Sequence, residues 1–265
     1  MPYADLAGIS SYYEQHGAGD PVLLLHGGHC SIETWQPQID VLATRYRVHA
    51  PERPGQGRTP DRPGPMTYQS MVDDTVAYLD AVGVESAHVV GFSDGAIAGL
   101  MLAVQHPARL RSLVAISGNL SPDAFGPDAW DDDADAEAAA GAEEADEADE
   151  AEGAVPDAED EAYDRLSPDG PEHRAVLLEK LVAMWKVEPR IDPADLATVA
   201  VPTLVLAGDR DSIPTHHTVD IAQAVPGAQL CIVPDAGHMV IRERPDHVNR
   251  AVEDFLARLT ESVSG

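Results

Sequence analysis

Gly91-Phe92-Ser93-Asp94-Gly95 has the form GxSxG, and it joins an apolar run of strand length to a helical stretch rich in alanine and leucine. A turn that tight lifts the Ser93 hydroxyl above the sheet, and it needs glycine on both sides because side chains at 91 and 95 would strike the neighbouring strand and helix. A serine hydroxyl is a weak nucleophile until a base takes its proton and an acid orients that base. Both partners follow later apolar runs. His238 ends Pro234-Asp235-Ala236-Gly237-His238 and Asp211 lies in Gly208-Asp209-Arg210-Asp211, with Asp209 the alternative acid and Asp235 within reach of His238. After the apolar run 22–25 comes His26-Gly27-Gly28. Its glycines let the Gly28 N–H face the crevice, and the Asp94 N–H supplies a second donor for a developing oxyanion. Nucleophile, base, acid and two donors are the parts of acyl transfer.

Those residues need a scaffold that gathers distant loops. Apolar runs at 22–25, 48–50, 88–92, 113–116, 203–207 and 230–233 alternate with helical periods at 39–44, 71–82, 96–105, 219–225 and 248–259. Such alternation predicts an α/β fold whose parallel sheet is covered by helices on both faces, with the loops at the strands' C-terminal ends lining one crevice. Residues 10–15 add an antiparallel edge. The alternation stops after 116 and resumes at 203, which predicts a core of 1–118 and 196–265 and an insertion at 119–195. Within the insertion, Val176, Leu177, Lys180, Leu181 and Met184 share one face of a helix over 172–187. Leu181, Met184 and Trp185 read as the insertion's core.

Charge excludes several function classes. The 265 residues hold 46 Asp and Glu against 17 Lys and Arg, a formal charge of −29, which repels nucleic acid and anionic membranes. Residues 128–162 carry 17 acids and no base, and so few apolar groups that the segment is expected to be held loosely. Acid this abundant, with lysine only at 180 and 186, fits a protein adapted to high salt. Cys30 and Cys231 read as small core residues, and the chain starts without a signal peptide, so a cytoplasmic monomer or small homo-oligomer is expected. His29, His216 and His217 have no partner at metal-ligand spacing, and the chemistry requires neither metal nor cofactor.

Through His26-Gly27-Gly28, the GxSxG elbow, Gly208 to Pro214 and Gly237-His238, the chain resembles the α/β-hydrolase superfamily. The resemblance implies a mostly parallel eight-stranded sheet with a cap inserted after the sixth strand. It also supports Asp211 over Asp209 and implies that Ser93, His238 and Asp211 cleave a small carboxylic ester or lactone through an acyl-enzyme. Perhydrolysis and carbon–carbon bond hydrolysis use the same triad, and a non-catalytic ligand receptor can use the same fold. Aspartate after the serine is similar to small esterases and amino-acid-ester hydrolases of the valacyclovir hydrolase type. A fixed carboxylate beside an oxyanion hole opposes ester attack, so Asp94 is a candidate for recognising a substrate amine. One departure is Glu52-Arg53-Pro54-Gly55-Gln56-Gly57-Arg58-Thr59, where the family often carries a DxRGxGxS loop. It puts substrate shape in doubt more than activity.

Overall fold

The computed structural model of the chain describes residues 3–6, 8–126 and 158–263. Its strands are β1 Tyr3–Leu6, β2 Ile9–His16, β3 Pro21–Leu25, β4 Arg47–Pro51, β5 Ala87–Phe92, β6 Leu110–Ile116, β7 Thr203–Gly208 and β8 Gln229–Val233. They form one sheet in the order β1-β2-β4-β3-β5-β6-β7-β8. From β4 to β8 neighbouring strands are parallel, whereas β2 runs antiparallel to β4 and β1 antiparallel to β2. The stretch expected as the antiparallel edge is therefore second from the edge. Tyr3–Leu6 covers it, a strand whose four residues are too few for periodicity to reveal.

The α-helices among the described residues are α1 Gln36–Leu42, α2 Tyr68–Ala81, α3 Asp94–Gln105, α4 Ala158–Leu166, α5 Arg174–Trp185, α6 Pro193–Leu196, α7 Thr215–Ala224, α8 Val240–Glu243 and α9 Pro245–Val263, with four short 3-10 turns besides. The strands are apolar throughout because both faces are buried. Val22, Leu24, Val90, Phe92, Val114 and Leu206 meet Ile39 and Leu42 of α1 and Val248, Val252 and Phe255 of α9. The alternate residues Leu23, Leu25, Val89, Leu113 and Val205 meet Val72 and Leu79 of α2, Leu100 of α3 and Ile221 of α7. Each large side chain removed from water in this way contributes about 1.5–3 kcal/mol. Held between the two clusters, the parallel strands bring the C-terminal ends of β3, β5, β7 and β8 to one edge.

Between β6 and β7 the chain leaves the sheet. Tyr163 of α4 and Leu177, Leu181 and Met184 of α5 pack on Tyr68 and Met71 of α2 and on Ile97 and Ala98 of α3. Polar ties hold the same elements to the loops below. Asp160 bonds His29 at 2.7 Å, Glu159 pairs with Arg242 at 2.5 Å, and Lys180 pairs with Asp61 at 2.5 Å. The expectation of a loosely held acidic segment over 128–162 thus fails at its C-terminal end. Residues 158–162 are helical because Ala162 and Tyr163 bury an apolar side and the adjacent acids find cations. The rest of that segment, 128–157, lies outside the described residues.

Candidate active site

Ser93 is the hinge between β5 and α3, with φ 53° and ψ −119°, a left-handed conformation that a residue with a side chain rarely adopts. It is pinned on both sides. The Ser93 N–H donates to the Ile116 carbonyl at 2.9 Å, and the Ser93 carbonyl accepts from Ala96 at 2.8 Å and Ile97 at 3.1 Å. The glycines permit the crossing. A Cβ on Gly91 would strike the Gly95 carbonyl oxygen, and one on Gly95 would strike the Leu25 carbonyl at the end of β3.

Three loops converge on this hinge. His238 Nε2 lies 3.0 Å from Ser93 Oγ, and His238 Nδ1 lies 2.8 Å from Asp211 Oδ1. With the carboxylate accepting the Nδ1–H, Nε2 is left to accept the serine proton, so the line can pass a proton from oxygen to nitrogen. Burial works against an imidazolium, yet the Asp211 carboxylate outweighs it and, with Asp94 and Glu243, holds His238 above the usual histidine range. Burial likewise opposes the Asp211 carboxylate, but His238, Ser117 and the Ile213 N–H keep it below its usual range. The other two candidate acids face elsewhere. Asp209 accepts from the Ala236 N–H at 3.1 Å, bracing one loop against the other, and Asp235 is held by Arg210 and Arg244.

Beside this line lies a second charged centre that the sequence only half revealed. Asp94 is 2% exposed. Its Oδ1 accepts from the Tyr68 hydroxyl at 2.6 Å and from Trp185 Nε1 at 3.0 Å, while its Oδ2 has no partner among the described residues. Burial pushes the Asp94 carboxyl up, while Tyr68, the Arg53 guanidinium and Trp185 oppose the rise. Gly28 stands next to that carboxylate, since a Cβ there would come within 2.6 Å of Asp94 Oδ2 and collide with the Trp185 ring. Trp185 is thus part of the cap packing, as expected, and also a wall over the His26-Gly27-Gly28 loop. Asp94 is the first residue of α3, where backbone N–H groups have no intrahelical acceptor.

His26 serves that loop from below. Its Nδ1 bonds the Gly27 carbonyl at 2.8 Å, and its Nε2 accepts from the Arg53 N–H at 3.1 Å. Burial, with Arg53 nearby, pushes its pKa down to about 3, so the ring stays neutral. Glu52 explains the departure at 52–59. Fully buried, it accepts from the Ile32 N–H at 3.3 Å, the Arg58 N–H at 2.5 Å and Arg58 Nη1 at 2.8 Å, so it organises the loop from inside. Of the remaining histidines, His29 bonds the cap and His217 Nε2 accepts from the Leu120 N–H at 3.0 Å. Among the described residues no group of His, Cys, Asp and Glu could hold a metal ion, and no helix is long and apolar enough to cross a membrane. Tyr68 escaped sequence reasoning because nothing marks a helix-opening tyrosine as a partner for a residue 26 positions on.

Comparison with known proteins places the chain in a family. Residues 22–251 match the family model described as "Alpha/beta hydrolase family". The chain is 31% identical over 283 residues to a protein of Azorhizobium caulinodans named "Putative carbamate hydrolase RutD", covering 98% of this chain and all of that one. It is 28% identical to a Mycobacterium tuberculosis protein named "Putative non-heme bromoperoxidase BpoC", covering 94% of this chain and 98% of the relative. Its fold is similar to that of the enol-lactonase from Burkholderia xenovorans, with a TM-score of 0.71 at 21% identity over 97% of this chain and 100% of that one. With nearly the full length matched in sequence and in fold, the chain belongs to the alpha/beta hydrolase family.

Proposed function

We propose that the chain is a serine hydrolase cleaving a small carboxylic ester or lactone through an acyl-enzyme. The observation that carries this reading is the unbroken line from Asp211 through His238 to Ser93, at 2.8 and 3.0 Å. Ser93 Oγ attacks the acyl carbon as His238 Nε2 takes its proton. Asp211 holds the ring tautomer and stabilises the imidazolium. The Gly28 and Asp94 N–H groups receive the oxyanion, and the imidazolium returns its proton to the departing alcohol. Water then attacks the acyl carbon with the same histidine as base, the acyl–Ser93 bond breaks, and the imidazolium returns its proton to Ser93 Oγ. Residues 119–195 act as a cap over a core of 1–118 and 196–265, and Trp185 bounds the acyl pocket.

Asp94 Oδ2, buried without a partner among the described residues, can accept from a substrate N–H. That favours acyl groups bearing nitrogen, aminoacyl esters among them, and a carbamate presents the same acyl carbon with nitrogen attached, in keeping with the name of the Azorhizobium relative. A panel of short acyl, aminoacyl and carbamoyl esters and lactones, run in dilute and molar KCl alongside a fluorophosphonate probe, tests the reading. Labelling at Ser93, turnover of at least one activated ester and higher rates in salt are expected. A probe that leaves Ser93 unlabelled would leave a ligand receptor as the better account.

The raised His238 pKa gives a signed prediction. The base must be neutral, so kcat/KM falls as pH drops through a value above the ordinary 6.5 of histidine. Asp94 is one of the charges that favour the imidazolium. Asp94→Asn keeps an acceptor for Tyr68 and Trp185 yet removes that charge, so the acid limb measured on a neutral ester moves to lower pH. An unmoved limb means that Asp94 carries no charge in the working enzyme.

A further inference from the structure

His238 is carried by a short loop between β8 and α8, and the residues before it are held from two sides. Ala236 is tied to the loop after β7, its N–H donating to Asp209 Oδ1 at 3.1 Å and its carbonyl accepting from the Arg210 N–H at 2.9 Å. Asp235, at a left-handed φ of 57°, is gripped by Arg210 and Arg244. Gly237 turns the other way. Its N–H donates to Glu243 Oε2 at 2.6 Å, and a Cβ on Gly237 would come within 3.2 Å of Glu243 Oε1, so the carboxylate rests directly on the main chain beside the base. Carboxylates that accept from backbone N–H groups make some of the stronger hydrogen bonds in proteins. Glu243 is the last residue of α8, and its own N–H bonds the Met239 carbonyl at 3.0 Å. Val240 and Ile241 of the same turn are fully buried in the core. Glu243 therefore closes a ring of main chain around His238 from an anchored turn.

We infer that Glu243 is a positioning residue for His238, a role that rests on the hydrolytic reading above: it clamps the main chain at Gly237 so that Nε2 stays in line with Ser93 Oγ. The imidazole must keep 2.8 Å to Asp211 and 3.0 Å to Ser93 at once. Phe92 packs against the ring, 5.3 Å between centroids, but a swing of the main chain at Gly237 would change both distances together. Misplacement by about 1 Å is enough to cost on the order of a hundredfold in rate. Glu243 also acts through its charge. The charged groups facing the ring are Asp211 from the loop after β7, Asp94 from α3 and Glu243 from α8, and all three favour the imidazolium against burial. Glu243 is exposed, so salt screens its share.

Glu243→Ala and Glu243→Gln, assayed on p-nitrophenyl acetate across the acid limb and the plateau, test this. Glu243→Ala removes the acceptor and should lower the plateau kcat about tenfold or more, with KM near the wild-type value. Glu243→Gln restores an accepting oxygen and should recover most of that loss. Its missing charge should move the acid limb of kcat/KM down by a few tenths of a pH unit, and by less in molar KCl. A merely structural role would leave the limb in place. NMR titration of the His238 ring in the intact chain needs no substrate, and Glu243→Gln should show the same downward shift there. This shift decides the matter if Glu243→Ala fails to fold. An inactive wild type that keeps the ring shift would sink the hydrolytic reading and leave the clamp standing. The clamp is overturned if Glu243→Ala keeps the plateau kcat, if Glu243→Gln falls as far as Glu243→Ala, or if Glu243→Gln moves neither limb nor ring.

Discussion

Replacing Ser93 or His238 by alanine is expected to lower kcat about 10⁶-fold, and replacing both is expected to lower it little further. The reason lies in the geometry. The two side chains share one proton line, with Ser93 Oγ 3.0 Å from His238 Nε2, so removing either abolishes the same event. What survives is catalysis by the oxyanion donors and by binding alone, which neither substitution touches. Asp211→Asn should cost about 10⁴-fold, less than the others, because the ring remains in place but its tautomer is no longer enforced. The Ile213 N–H also bonds Asp211 Oδ1 at 3.0 Å, so the asparagine keeps a partner on its own loop and the fold is retained. Single-turnover rates for the three single variants and the Ser93/His238 pair give the comparison. Strictly multiplicative losses would mean that the two residues act on separate steps, and the unit described here would not exist.

Why the triad was legible and its surroundings were not follows from how each is encoded. Ser93, Asp211 and His238 each lie just past an apolar run, and in a parallel sheet that placement alone sends them to one edge. Their chain order then leaves few ways to pair them. Asp94 was legible as a charge in the wrong place, an acid beside oxyanion donors, but the groups that accommodate it were not. Tyr68 opens α2 and Trp185 closes α5, and they reach Asp94 across sequence gaps of 26 and 91 residues that no periodicity links. The same limit applied to the fold. The strands at 22–25 and 88–92 announce themselves by unbroken hydrophobicity, whereas Tyr3–Leu6 and Pro193–Leu196, at four residues each, are too short for a hydrophobic period to show. Helix α4 was hidden in a different way. Its acids read as a solvated run, yet Glu159 and Asp160 face Arg242, Arg174 and His29, cations contributed by other parts of the chain.

Gly95→Ala is expected to destabilise the protein by at least about 3 kcal/mol, at the upper end of what overpacking costs, because the new methyl group meets backbone. At Gly95 the clash is with the Leu25 carbonyl and the His26 oxygen, and main chain at the end of β3 cannot rotate away. Gly99, one helical turn further along α3, makes the contrast. A Cβ there crowds Leu113 Cδ1, at 2.9 Å, the tip of a side chain able to shift, and meets Val89 Cγ1 at an ordinary 3.8 Å. Alanine at that position gains up to about 1 kcal/mol of helix propensity against the cost of moving the leucine, so Gly99→Ala should melt close to the wild type. For a chain of this size about 3 kcal/mol corresponds to a fall in Tm of roughly 6–12 °C, large enough to read in any thermal scan. Activity should fall further than stability does. The atoms displaced at position 95 carry the loop that leads into Gly27 and Gly28, so a folded Gly95→Ala protein presents its oxyanion donors out of register with Ser93. Measured below its melting temperature, that variant should lose kcat while Gly99→Ala keeps it. Equal melting and equal turnover in the two variants would show that α3 does not cross β3 as closely as the elbow requires, and the placement of Ser93 would have to be drawn again.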